Sequence, residues 1–115
     1  DYDFVLRDFN NAVDHANKWI LIHDMVPPNL EYAGNYWCSD SYKLLYYFLR
    51  EEQFEIYTTK ENFGLTFIRM PAKKVDPSPS YRDVPYEEFI TYMQTSYKTY
   101  TEDELVKYFI ENRKF

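Results

Sequence analysis

Phe54-Glu55-Ile56-Tyr57-Thr58-Thr59-Lys60-Glu61-Asn62-Phe63-Gly64-Leu65-Thr66-Phe67-Ile68-Arg69-Met70 is the stretch that decides the fold. Phe54, Ile56 and Thr58 alternate with Glu55, Tyr57 and Thr59, the period of a half-buried strand. Leu65 to Met70 is a second β-rich run. The segment between them holds Asn62 and Gly64, both able to take positive φ. The reading is a β-hairpin. A two-stranded ribbon is marginal by itself, so this one must lie on helices or gain a third strand. Residues 19–23 are the candidate. Trp19-Ile20-Leu21-Ile22 reads equally as a short strand or as the buried end of a preceding helix, and periodicity does not choose between them.

Helices are expected on both sides. Residues 3–18 place Val5, Phe9, Ala12, Val13 and Ala16 on one apolar face, with Asp3 as N-cap and Asp14–Lys18 as an i,i+4 pair. Three asparagines, Asn10, Asn11 and Asn17, make it a poor helix by propensity, so packing must hold it. Pro27-Pro28 ends the next run, and Asn29 to Asp40 is a connection carrying Tyr32, Tyr36 and Trp37. Residues 40–52 form a second helix, capped by Ser39 or Asp40. Its apolar sector is Leu44, Leu45, Phe48 and Leu49; Lys43, Tyr47 and Arg50 make the polar side, and Tyr46 sits at the margin. A third helix is expected from an Asp83 N-cap to about Tyr97. The last starts at a capping box, Thr101 with Glu104, and would bury Leu105, Val106, Phe109 and Ile110. The expected fold class is α+β: about four helices packed on a small antiparallel β-hairpin or three-stranded sheet. Residues 1–115 are read as a single domain with a Pro-rich surface loop at 71–85.

Composition bounds the function. At 115 residues the chain supports one modest core. Its 45% hydrophobic content is too high for an acidic disordered tail. No apolar run approaches ~18 residues, which argues against a membrane span. One cysteine rules out an internal disulfide framework and leans toward a reducing compartment; with no export signal visible, the expected localisation is cytoplasmic. Abundant Tyr, Phe, Lys, Asn and Ile with few Ala and Gly is the bias of AT-rich genomes, so a viral or phage accessory protein is the expected setting.

The formal charge is −6 and unevenly spread. Residues 1–31 hold six acids and two bases, net −4, while 32–70 and 71–115 are each net −1. Such a field repels phosphate backbones and attracts basic protein surfaces.

No constellation for chemistry stands out. Two isolated glycines, Gly34 and Gly64, cannot cradle a phosphate. His15 and His23 do not converge on a metal, and no HExxH or calcium-loop spacing occurs. The expectation is no catalytic residue, no metal and no cofactor. The alternative enzyme reading uses Cys38, just ahead of a helix, with a histidine and a neighbouring carboxylate such as Asp14 or Asp24. A third reading is a structural domain of a larger protein. Glu51-Glu52 near a helix C-terminus opposes the helix dipole with no local compensation. Thirteen tyrosines exceed what a small core requires, so some are expected at the surface, where Tyr suits interfaces.

The leading expectation is a non-enzymatic protein-binding domain or inhibitor. It would contact a basic surface of another protein through Asp8, Asp14, Asp24, Glu31, Tyr46, Tyr47 and Tyr57. A sharper version imitates nucleic-acid charge to fill a basic groove. Direct nucleic-acid and membrane binding are not expected, and the sequence leaves the oligomeric state open.

Overall fold

A computed structural model describes residues 1–34, 39–52, 54–61 and 63–114. The elements run α1 (Tyr2–Val13), β1 (Trp19–His23), α2 (Leu30–Ala33), α3 (Tyr42–Glu51), β2 (Glu55–Thr58), β3 (Leu65–Arg69), a 3₁₀ turn (Pro79–Asp83), α4 (Tyr86–Ser96) and α5 (Glu102–Glu111). The protein is α+β. The expected hairpin forms, and residues 19–23 resolve as its third strand: β3 lies between β1 and β2, antiparallel to both. Asn62 lies outside the described residues.

The period-2 pattern gives the sheet two apolar faces. Ile20, Ile22, Ile56 and Ile68 join the main core with Phe9 of α1, Phe48 of α3 and Phe89 of α4. On the same face the cross-strand partners Thr58 and Thr66, both fully buried, satisfy each other through a 3.0 Å hydroxyl hydrogen bond. Trp19, Tyr57 and Phe67 point the other way, and Phe109 of α5 packs against all three with ring centroids 5.1–5.5 Å away.

Several helix boundaries move. α1 takes its N-cap two residues early, because the Asp1 carboxylate rather than Asp3 accepts the Phe4 N–H at 2.9 Å. It stops at Val13, so Asp14 does not pair with Lys18 along a helix; it reaches Lys74 at 2.8 Å instead. α3 takes Ser41 as N-cap without a side-chain bond, and Asp40 is occupied by the Tyr2 N–H at 2.7 Å. α4 starts after Pro85, not Asp83. The α5 capping box is present in both directions. Its apolar face is narrower than the pattern implies: Leu105 is buried, but Val106 is 56% and Ile110 58% exposed.

The 71–85 loop is pinned rather than loose. Asn10 grips it twice, donating to the Val75 carbonyl at 2.9 Å and accepting the Val75 N–H at 2.8 Å. That bond explains an asparagine inside a helix. Val75, Tyr81 and Val84 of the loop are buried.

Gly64 closes the hairpin at φ +85°. A Cβ there would lie 2.5 Å from Val26 Cγ2 and 3.0 Å from the Val26 backbone nitrogen. Val26 is itself held by a 2.8 Å bond from its N–H to the Phe63 carbonyl, so it cannot retreat. Positive φ costs an L-residue about 1 kcal/mol and overpacking about 1–3. Gly64→Ala should therefore lower stability by about 2–4 kcal/mol in denaturant unfolding. A loss below ~0.5 kcal/mol would contradict this geometry.

Candidate functional site

Tyrosine is a core residue in this fold. Of the twelve described tyrosines, none is exposed: Tyr2, Tyr42, Tyr46, Tyr57, Tyr81 and Tyr86 are buried and the rest half-buried. This corrects the expectation of surface phenols. Tyr46 and Tyr57 retain 4% and 8% of their exposure, so neither ring can face a partner. The physical reason is the length of the side chain. In a chain with few small residues, each ring fills core volume while its hydroxyl reaches a polar group at the rim. Tyr42 donates to the Val84 carbonyl, Tyr86 to that of Pro27, and Tyr97 to that of Ile56, at 2.6–2.9 Å.

Three other hydroxyls reach carboxylates, and these mark the site. Tyr46 donates to Glu88 at 2.6 Å, Tyr47 to Glu52 at 2.7 Å and Tyr81 to Glu51 at 2.7 Å. The Tyr81 ring meets those of Tyr46 and Tyr47 edge-on, with centroids 6.1 and 5.1 Å away. The acids thus stand on an aromatic base formed by α3 and the 3₁₀ turn. Glu51 and Glu52 are explained: phenols, and Lys73 at 3.4 Å from Glu52, offset the unfavourable end of the helix dipole.

Beside this base opens a cleft of about 690 Å³. Glu51, Asp76, Asp83 and Glu88 line it, with Tyr47 and Tyr81 as walls. Arg50 is the single cation in the lining. It is already engaged, lying 5.1 Å from the centroid of the Tyr46 ring, 3.2 Å from its hydroxyl and 3.9 Å from Glu88. Four carboxylates against one committed guanidinium leave the cleft negative. Burial, then the hydrogen bond to Glu51, pushes the Tyr81 phenol up to about 12. Burial and the bond to Glu52 raise Tyr47 as well. Both walls are therefore neutral hydroxyls at physiological pH.

The arrangement suits recognition of cations. Ser78 and Ser80 in the lining bond each other at 3.1 Å, and among the described residues no histidine lines the cleft. No group of three His, Cys, Asp or Glu able to hold a metal occurs among the described residues. His15 and His23 are both exposed, and Cys38 lies outside the described residues. No helix of the described chain is long and apolar enough to cross a membrane.

The residues singled out from sequence do not converge. Tyr47 alone lines the cleft, and Tyr46 reaches its Glu88 from beneath. Tyr57 packs under α5 with Trp19 and Phe109. Asp8 is exposed on α1 beside Arg7 at 3.9 Å, and Asp14 is taken by Lys74. Glu31 is exposed on α2, and Asp24, half-buried, sits at φ 63° just after β1. The acids that do converge, Glu51, Asp76, Asp83 and Glu88, come from segments that read as a helix end, a loop and a helix start. Only Glu51 carried a signal, its misfit with the dipole.

Comparison with known proteins gives no identity: no family model, no curated protein and no solved structure matches the chain.

Proposed function

We propose that this chain is a non-catalytic protein-binding module whose acidic cleft receives arginine or lysine side chains from a basic surface of another protein. One observation carries the reading: Glu51, Asp76, Asp83 and Glu88 line a cleft whose only cation, Arg50, is already paired. Concave walls of low dielectric focus such a field and steer cationic partners. Guanidinium groups pair with carboxylates and stack on ring faces, so arginine matches both features of the lining. The partner's contact is basic, as the charge of the chain already implies, but it is met at the cleft rather than by an N-terminal acidic face.

The test is titration of the chain with a labelled arginine-rich peptide, followed by fluorescence anisotropy at low and raised salt. Asp76 and Asp83 make no side-chain hydrogen bond or ion pair among the described residues, so Asp76→Lys with Asp83→Lys leaves the fold intact. Binding should weaken about tenfold or more, equal to ~1.4 kcal/mol or more. The same charge change at Asp8→Lys with Glu31→Lys should leave binding within about twofold. Equal losses from both pairs would show a diffuse charge effect and sink the assignment to the cleft.

A further inference from the structure

The two edges of the sheet are finished differently. Along β2 the outward edge is partly covered: the Ile56 carbonyl accepts the Tyr97 hydroxyl at 2.9 Å, the Thr58 carbonyl accepts the Tyr100 N–H at 3.0 Å, and the Lys60 N–H donates to the Tyr100 carbonyl at 3.0 Å. Along β1 the inward groups are fixed by the register with β3. The Lys18 carbonyl accepts the Met70 N–H at 2.8 Å and the Asp24 N–H donates to the Gly64 carbonyl at 3.0 Å. Backbone direction alternates along an antiparallel ladder. The N–H and C=O of Trp19, Leu21 and His23 therefore point away from the sheet, and no partner meets them among the described residues. His23 is exposed and Leu21 is 51% exposed. A concavity of about 280 Å³, lined by Val5, Asp8 and Ala12 of α1, runs beside the strand. β1 has no proline, bulge or internal charge of the kind that blunts natural edges.

We propose that this open edge docks a second copy of the chain, β1 pairing antiparallel with β1 about a twofold axis at Leu21 to form a continuous six-stranded sheet. The argument is the self-complementarity of Lys18-Trp19-Ile20-Leu21-Ile22-His23-Asp24. Reversed about Leu21, Lys18 comes opposite Asp24, Trp19 opposite His23, Ile20 opposite Ile22, and Leu21 opposite its own copy. Each opposition joins apolar to apolar, ring to ring or cation to anion, the pairings that stabilise neighbouring strands. The outward residues 19, 21 and 23 fall opposite 23, 21 and 19, so all their N–H and C=O groups find partners. Lys18 and Asp24 make no ion pair within the chain among the described residues, and the twofold supplies one to each. A foreign strand could satisfy the backbone, but only this sequence supplies that charge match by symmetry. Such an interface is isologous and closes on itself. The charge of −6 on each copy opposes association, so the expected product is a concentration-dependent monomer–dimer equilibrium. None of these residues lines the acidic cleft, and the two assignments stand or fall separately.

Sedimentation equilibrium of the whole chain from micromolar to millimolar concentration tests the proposal. The chain should dimerise. Lys18→Asp sets acid against acid, Asp24→Lys sets base against base, and each alone should weaken the dimer about tenfold or more. An equimolar mixture of the two variants restores both oppositions and should dimerise again. Leu21→Pro removes the outward N–H at the twofold without touching the β1–β3 ladder, and should also abolish association. If that variant does not fold, the charge variants, both in exposed or half-exposed bends, carry the test. A chain that stays monomeric at millimolar concentration, or a mixture that fails to restore the dimer, overturns the proposal. So does a strand-forming peptide that protects the Leu21 N–H from exchange while the chain alone remains monomeric.

Discussion

Raised above pH 10, the protein should unfold in one steep transition, with tyrosine ionisation and loss of structure rising together. Seven phenols hold their protons beyond the usual value of 10: Tyr2, Tyr42, Tyr46, Tyr47, Tyr57, Tyr81 and Tyr97. Burial is the largest cause for every one, and Glu88, Glu52 and Glu51 add to it at Tyr46, Tyr47 and Tyr81. Tyr42 and Tyr81 are pushed up to about 12. The unfolded chain releases these protons near pH 10, while the folded chain keeps them. Below pH 10 both states are protonated and the full stability is present. Above it the unfolded state binds fewer protons, and stability falls with rising pH until the folded-state values are passed. Each retained proton steepens the fall by about 1.4 kcal/mol per pH unit. Tyr42 and Tyr81, both buried, together give about 3 kcal/mol per unit between pH 10 and their folded values, and the other raised phenols steepen the fall, against a total of about 5–15 for a domain. Circular dichroism and phenolate absorbance should change together within about two units above pH 10. A gradual phenolate titration centred at pH 10, with the far-ultraviolet signal unchanged, would refute the tyrosine core.

The hairpin was legible because its signals are local. Alternation at 54–59 and a glycine at the turn specify the hairpin through side-chain period and backbone freedom, whereas the apolar run at 19–22 fits a strand or a helix end alike and becomes a strand only by pairing with β3. The α5 capping box is local too. Helix ends set by tertiary competition were not readable: Asp40 was free to cap α3 by sequence, but the Tyr2 N–H claims it. The placement of the tyrosines is hidden in the sequence for a related reason. Composition shows that there are many, but whether a ring is surplus depends on what else can fill the core. Here the hydroxyls find carbonyls and carboxylates up to 59 residues away, as Tyr86 does at Pro27. The cleft was hidden for the same cause, since its acids meet only after the 76–85 segment folds back onto α3. Charge along the chain is a one-dimensional sum, whereas the field that a partner meets is summed across space.

Phe48→Ala should be the most damaging single truncation in the core. Phe48 is fully buried in α3, with the Phe9 ring centroid of α1 at 4.7 Å and that of Phe54, leading into β2, at 5.5 Å. It joins the first helix to the sheet. Removing a buried phenyl group costs about 3–5 kcal/mol, the spread reflecting how far the surroundings collapse into the gap. Here collapse is limited. Phe9 and Phe54 already touch each other at 5.9 Å, and planar rings with two side-chain torsions cannot reshape around a void as Met or Leu can. The loss should fall near the upper end of that range, about 4–5 kcal/mol, and lower the denaturant midpoint with little change in slope. Phe48→Leu keeps most of the volume and should cost about 1–2 kcal/mol. Ile110→Ala, on the exposed side of α5, should cost about 0.5 kcal/mol or less. If Phe48→Ala were no worse than Ile110→Ala, the packing of α1, α3 and the sheet around this ring would be wrong. The cleft would then lose its foundation too, because Tyr46, Tyr47, Arg50 and Glu51 take their positions from the same helix.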